Sequence, residues 1–165
     1  MQNIILHPPE DTDGSAVSAL IERCPPLDTN SRYCNLLQCS HFGNTSVIAK
    51  ADGKTVGFVS GYILPQANNT LFIWQVAVDS AARGTGLAQK MIRNIVERDV
   101  CANVSHIETT ITNDNNASWA LFERIAKHYN APLIRSVMFD RTDHFAGAHD
   151  TEMLARIGPL KKADV

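Results

Sequence analysis

The segment Val76-Ala77-Val78-Asp79-Ser80-Ala81-Ala82-Arg83-Gly84-Thr85-Gly86-Leu87-Ala88 carries the strongest chemical signal in the chain. An apolar strand runs into a short loop, then into glycine-rich backbone, then into a helix. Glycines at Gly84 and Gly86 let backbone N–H groups come close to an anion. The first turn of the helix adds orphan donors and a positive dipole end. Such a site suits phosphate. No Gly-Lys-Ser/Thr follows, so it is no Walker loop, and the spacing is not the dinucleotide G-x-G-x-x-G. On the glycines alone, a tight strand-to-helix turn without a ligand explains the pattern as well.

The elements around this segment follow from hydrophobic period and punctuation. The first ten residues read as an extended lead-in. Asp13 and Ser15 offer caps for a helix through Ala16–Ile21, which Pro25-Pro26 ends. A second helix is expected from Asn30 or Ser31 to about Ser40. Residues 45–49 read as a strand, and Asp52-Gly53 is a hairpin turn into a strand at Lys54–Leu64. Residues 66–69 form a turn before the strand Thr70–Val78, the most apolar stretch. A helix is expected over Gly84–Arg98, a strand over Ser105–Thr112, and a helix through Trp119, Leu121, Phe122 and Ile125. Strands at Leu133–Asp140 and Met153–Ile157 flank a polar loop. The order predicts one mixed α/β (α+β type) domain spanning 1–165, with its core at about 4–160. Its sheet is mostly antiparallel and flanked by helices.

Composition narrows the function classes. The 165 residues carry 15 Lys+Arg and 17 Asp+Glu, a formal net charge of −2, and 44% are hydrophobic. That argues against a disordered chain and against a nucleic-acid binder. No apolar run reaches the roughly 18 residues of a membrane span, and the N-terminus does not read as a signal peptide. A cytoplasmic protein is the expectation. Cys24, Cys34, Cys39 and Cys101 contain no C-x-x-C pair and are expected as reduced thiols, mostly buried, with Cys34 near a pocket.

Arg83-Gly84-Thr85-Gly86-Leu87-Ala88 resembles the [Q/R]-x-x-G-x-[G/A] signature of the Gcn5-related N-acetyltransferases at every fixed position. Asn115-x-x-Ser118-x-x-Leu121-Phe122 resembles that family's second motif, N-x-x-A-x-x-L-Y. The "VAVD" entry and the order of elements agree with it. The resemblance implies acetyl-CoA as donor. By similarity, the amides of Gly84, Thr85, Gly86, Leu87 and Ala88 hold the pyrophosphate and Arg83 adds charge. Val76 and Val78 run beside the pantetheine arm, and the Val76 N–H polarises the thioester carbonyl. Asn115, Ser118 and Phe122 complete the cofactor side. Phe122 departs from the pattern: the family often has a tyrosine there, as acid for the departing thiolate. Tyr33 or Tyr129 could serve instead, or the thiolate leaves unprotonated.

Outside those motifs, Leu27-Asp28-Thr29-Asn30-Ser31-Arg32-Tyr33, the Trp74-Gln75 strand, and His144-Phe145 with His149-x-x-Glu152 resemble the L-2,4-diaminobutyrate acetyltransferases of ectoine biosynthesis. That resemblance implies L-2,4-diaminobutyrate as acceptor, acetylated on its γ-amine, and a homodimer. Such a substrate needs acids for its ammonium groups and hydrogen-bonding partners for its carboxylate. Asp28, Glu108 and Glu152 are the candidate acids. Asn30, Ser31, Arg32 and Gln75 are candidates for the carboxylate, and Trp74 for a pocket wall and cation–π partner. His149 joins the acceptor side. Val76, Tyr33, Trp74 and Glu152 are the candidate catalytic residues. His144, His149 and Glu152 do not have metal-site spacing, so no metal is expected. Transfer to another small amine, and a non-catalytic acyl-CoA sensor, are the competing readings.

Overall fold

The computed structural model describes residues 3–163. The strands, in chain order, are β1 (Ile4–His7), β2 (Val47–Ala51), β3 (Lys54–Leu64), β4 (Ala67–Val78), β5 (His106–Thr112), β6 (Leu133–Phe139) and β7 (Glu152–Ile157). The α-helices are α1 (Gly14–Glu22), α2 (Arg32–Ser40), α3 (Leu87–Val96) and α4 (Asn116–His128). Among the described residues the strand order is β1-β2-β3-β4-β5-β7-β6. The expected mixed, mostly antiparallel sheet is present, with β4–β5 as a parallel pair.

The chain packs as two compact units that share β4. The first comprises the described chain up to Ile63 together with Ile73–Asn103. Here β1 pairs antiparallel with β2, and β2 with β3. Asp52 and Gly53 both take positive φ, 49° and 78°, as a two-residue hairpin turn of this twist requires. The buried core joins Val17, Leu20 and Ile21 of α1 to Ile48, Phe58 and Ala77 on the strands. Ser31 Oγ accepts from the Cys34 N–H and so starts α2. Helix α3 buries Leu87, Met91, Ile92, Ile95 and Val96 along one stripe.

The second unit comprises Leu64–Phe72 and the described chain from Val104 onward. Thr70, Leu71 and Phe72 of β4 pair parallel with His106, Ile107 and Glu108 of β5. Strand β7 returns between β5 and β6 and pairs antiparallel with both. Helix α4 buries Trp119, Leu121, Phe122, Ile125 and Ala126.

Several boundaries differ from expectation for local reasons. The lead-in contains β1, whose Ile4–His7 registers against Ile48–Ala51. Strand β4 begins at Ala67, inside the expected turn. Asp13 stands at the N-cap of α1, but its carboxylate turns back to accept from the Glu10 N–H at 2.9 Å and from Lys50 Nζ at 2.8 Å. Helix α3 starts at Leu87 rather than Gly84, because Gly84 and Gly86 are left-handed, with φ of 75° and 79°.

Candidate functional site

The cofactor turn grows out of the end of β4. Asp79 caps a short 3-10 turn, Ser80–Ala82, by accepting from the Ala81 N–H at 3.1 Å. That N–H, and then the Arg23 guanidinium, hold the Asp79 carboxyl below the usual carboxylate range. Arg83 Nε donates back to the Val78 carbonyl at 3.1 Å, and Thr85 Oγ1 to the Ala82 carbonyl at 2.8 Å. Gly84 and Gly86 then reverse the chain into α3. Space in front of both is open: a Cβ on either would meet nothing within 4 Å. Lys90 N–H closes the first helical bond onto Gly86 O. The preceding amides of the first turn, Leu87 and Ala88 among them, are the orphan donors of the helix. The left-handed glycines, open space and helix start suit a pyrophosphate.

On the same unit, the Asp28–Ser31 segment lies against β4. Gln75 Oε1 accepts from Asn30 Nδ2 at 2.9 Å, and Gln75 Nε2 donates to the Asp28 carbonyl at 2.9 Å. Both ends of the Gln75 amide therefore shape the 28–30 loop. The sequence reading gave Gln75 to a substrate carboxylate; in the structure its groups go to the chain itself. The carboxylate of Asp28, on an exposed residue, caps nothing, and Ser31 is the cap of α2. Tyr33 is 70% exposed on α2. Trp74, next to Gln75 in sequence, has a different set of neighbours. Its indole meets Phe42 and Tyr62 edge-on, at centroid distances of 6.2 and 6.0 Å, and stays 43% exposed. The sequence assigns no role to Phe42 or Tyr62. Val76 and Val78 are partly buried on β4.

The second unit carries the remaining candidates. Asn115 Oδ1 accepts from the Ser118 N–H at 3.1 Å and caps α4. Phe122 is 2% exposed and belongs to the core of this unit. Its ring packs with the apolar face of α4. Tyr129 is likewise buried, at 3% exposure, so Tyr33 is the accessible hydroxyl of the two candidate acids. Glu108 is buried on β5 and faces the Arg156 guanidinium of β7 in a hydrogen-bonded ion pair. Its charge is thereby matched by a partner that the sequence did not flag.

The loop between β6 and β7 holds the last pair. Asp140 Oδ1 accepts from the Thr142 and Asp143 N–H groups at 2.8 and 2.9 Å. The Asp143 N–H, then that of Thr142, keep this carboxyl below its ordinary range. The Asp140 N–H donates to His144 Nδ1. Phe145 lies 4.6 Å from the His149 ring, centroid to centroid. His149 Nδ1 is 2.6 Å from the Asp150 carbonyl, which can only accept, so Nδ1 carries a proton. Its Nε2 then faces Glu152 Oε1 at 3.8 Å. His149 and Glu152, two acceptor-side candidates, therefore stand side by side. Among the described residues, no cluster of three or more His, Cys, Asp or Glu gathers in metal-binding geometry. No described helix is long and apolar enough to cross a membrane.

Known proteins are similar to this chain in sequence and fold. The pattern of the acetyltransferase (GNAT) family matches residues 15–126. The chain is 54% identical over 158 residues to the L-2,4-diaminobutyric acid acetyltransferase of Methylotuvimicrobium alcaliphilum, covering 96% of this chain and 92% of that one. With the enzyme of the same name from Halomonas elongata it shares 45% over 159 residues, covering 96% and 82%. Among solved structures, it is similar to the diaminobutyrate acetyltransferase of Paenibacillus lautus in complex with its substrate L-2,4-diaminobutyric acid and coenzyme A. The TM-score is 0.92 and the identity 36%, covering 100% of this chain and 99% of that one.

Proposed function

The chain belongs to the acetyltransferase (GNAT) family, and from that membership we propose that it transfers the acetyl group of acetyl-CoA to the γ-amine of L-2,4-diaminobutyrate, giving N-γ-acetyl-L-2,4-diaminobutyrate for ectoine synthesis. The observation that carries this reading is the near full-length likeness to proteins of that activity, one of them solved with diaminobutyrate and coenzyme A.

The residues divide by what each can do. Backbone amides of Gly84–Ala88 bind the pyrophosphate, with Arg83 beside them. In the second unit, Asn115 and Ser118 are candidates for cofactor contacts. The Val76 N–H polarises the thioester carbonyl, and Val78 continues the strand that lines the pantetheine. Asp28, Asn30, Ser31 and Tyr33, from α2 and the loop before it, serve the amino-acid head group. In the second unit, His149 and Glu152 are candidates for an ammonium group. Trp74 walls the acceptor side. Glu108, already facing Arg156, contributes through that pair, and Gln75 by holding the 28–30 loop.

The acetyl-acceptor amine must be neutral to attack, and its ordinary pKa lies near about 10. A carboxylate gripping that ammonium would raise it further, so the acids serve the α-ammonium and leave the γ-amine to a neutral acceptor. Phe122 has no proton to give. A thiol with a pKa near about 8.5 can depart as thiolate, with the exposed Tyr33 hydroxyl as the available donor.

The same reading makes the two units one acetyltransferase domain in a cytoplasmic protein serving osmotic protection, with no nucleic-acid or membrane partner. It also makes the chain a homodimer. Ile134 and Val137 on the terminal strand β6 are 61% and 58% exposed, apolar groups that a second copy would cover. Amine-dependent release of free thiol from acetyl-CoA, with diaminobutyrate active and putrescine inactive, tests the activity. Light scattering of the purified protein tests the dimer.

A further inference from the structure

We propose that Arg23 and Asp79 are positioning residues for the acetyl-CoA turn: the ion pair between them fixes the root from which the Gly84–Gly86 reversal springs. The inference rests on the acetyl-CoA role given to that turn above.

Asp79 is buried, and each of its polar groups is engaged. Its N–H donates to the Val56 carbonyl and its own carbonyl accepts from the Ala82 N–H, both at 2.9 Å. One carboxylate oxygen caps Ala81 and the other accepts from Arg23 Nη2 at 3.3 Å. Arg23 stands at the C-cap of α1. It also donates to the Ala19 carbonyl at 2.9 Å and the Thr55 carbonyl at 3.5 Å, so the guanidinium ties α1 to β3 and to the turn. The next residue, Cys24, puts its Sγ 3.4 Å from the Val78 carbonyl, which Arg83 Nε also reaches. The junction between β4 and the turn is therefore held by α1 on one side and by Arg83 on the other.

A turn with two left-handed glycines gains little order from its own sequence. Whatever order it lacks before binding is charged against cofactor affinity. Anchoring its root through Asp79 lowers that cost. The effect falls on acetyl-CoA and not on the acceptor amine. That separation distinguishes positioning from general structural support.

Calorimetric titration with acetyl-CoA tests this on the full chain, with the melting temperature recorded for each variant. Asp79→Ala removes cap and ion pair and is expected to weaken acetyl-CoA binding about tenfold. Asp79→Asn keeps an acceptor for Ala81, and Arg23→Gln leaves the cap intact. Each is expected to cost about three- to fivefold, and the double variant no more than either single one, because they break the same contact. The KM for diaminobutyrate stays within about twofold throughout. Wild-type affinity in a folded Asp79→Ala, additive losses in the double variant, or equal losses for both substrates would overturn the proposal. If Asp79→Ala does not fold, the Asn and Gln variants decide alone. A wild-type protein that binds no acetyl-CoA would instead sink the cofactor reading of the turn.

Discussion

Asn30 Nδ2 donates to Gln75 Oε1 at 2.9 Å, so a residue in the loop before α2 is fixed to the C-terminal part of β4. With the Gln75 Nε2 bond to the Asp28 carbonyl, one amide sets the shape of the segment assigned to the substrate head group. Gln75→Leu leaves Asn30 and the Asp28 carbonyl without this partner. The KM for diaminobutyrate should rise by about tenfold, within the roughly 1–3 kcal/mol of an unmade hydrogen bond, while the KM for acetyl-CoA changes less than about twofold. Steady-state kinetics with each substrate varied in turn checks this split.

Gly86 carries a φ of 79° at the N-cap of α3. A side chain there meets no protein atom, so the expected damage comes from backbone strain and from blocked approach of the pyrophosphate. Gly86→Leu should cost about 1–2 kcal/mol of stability and weaken acetyl-CoA binding by about tenfold or more. Thermal melting and calorimetry measure the two effects separately.

Phe122→Tyr restores the residue that the family often carries, but it puts a hydroxyl at a 2% exposed core position. The melting temperature should fall, consistent with the roughly 1–3 kcal/mol of an unpaired buried hydroxyl. The maximal rate at saturating substrates should stay within about twofold of wild type, on the proposed reading that thiolate departure does not limit turnover. A large gain in that rate would show that protonation limits turnover.

The local signals in the sequence carried over into structure where local physics decides. Ser31 caps α2, Asp52-Gly53 turns the hairpin, and Asn115 caps α4, since each depends on the residue's own backbone and near neighbours. Long-range pairing was not legible. Nothing in residues 133–157 announces that β7 would insert between β5 and β6, or that Arg156 would meet Glu108 across 48 positions. Gln75 looked available for a ligand because its amide partners lie 45 and 47 residues away. Phe122 matched a motif position, yet the motif does not say which face of α4 is core. Trp74 and Gln75 are adjacent in sequence, yet one packs on Phe42 and Tyr62 and the other bonds Asn30 and Asp28.

The cysteines give a pH-dependent check. All four are free thiols, and Cys24, Cys39 and Cys101 are buried. Burial, aided by the nearby charges of Asp13 and Asp11, pushes the Cys39 thiol up to about 12. Burial also raises that of Cys34, which is only half-buried. The reactive thiolate of Cys39 is therefore scarce until the pH approaches that value. Native protein treated with an aromatic disulfide reagent at about pH 8 should modify Cys34 slowly and leave Cys39 untouched until the chain is denatured. Peptide mapping of the modified sites reads the result.

Product regiochemistry tests the central claim most directly. Purified protein, acetyl-CoA and L-2,4-diaminobutyrate are incubated together, thiol release is followed, and the product is assigned by NMR and mass spectrometry. On the proposed reading the acids serve the α-ammonium, which leaves the side-chain amine to reach the thioester. The expected result is one thiol released per acetylated product, with the acetyl group on the γ-nitrogen. A predominantly α-acetylated product, or no thiol release with diaminobutyrate present, would contradict the account.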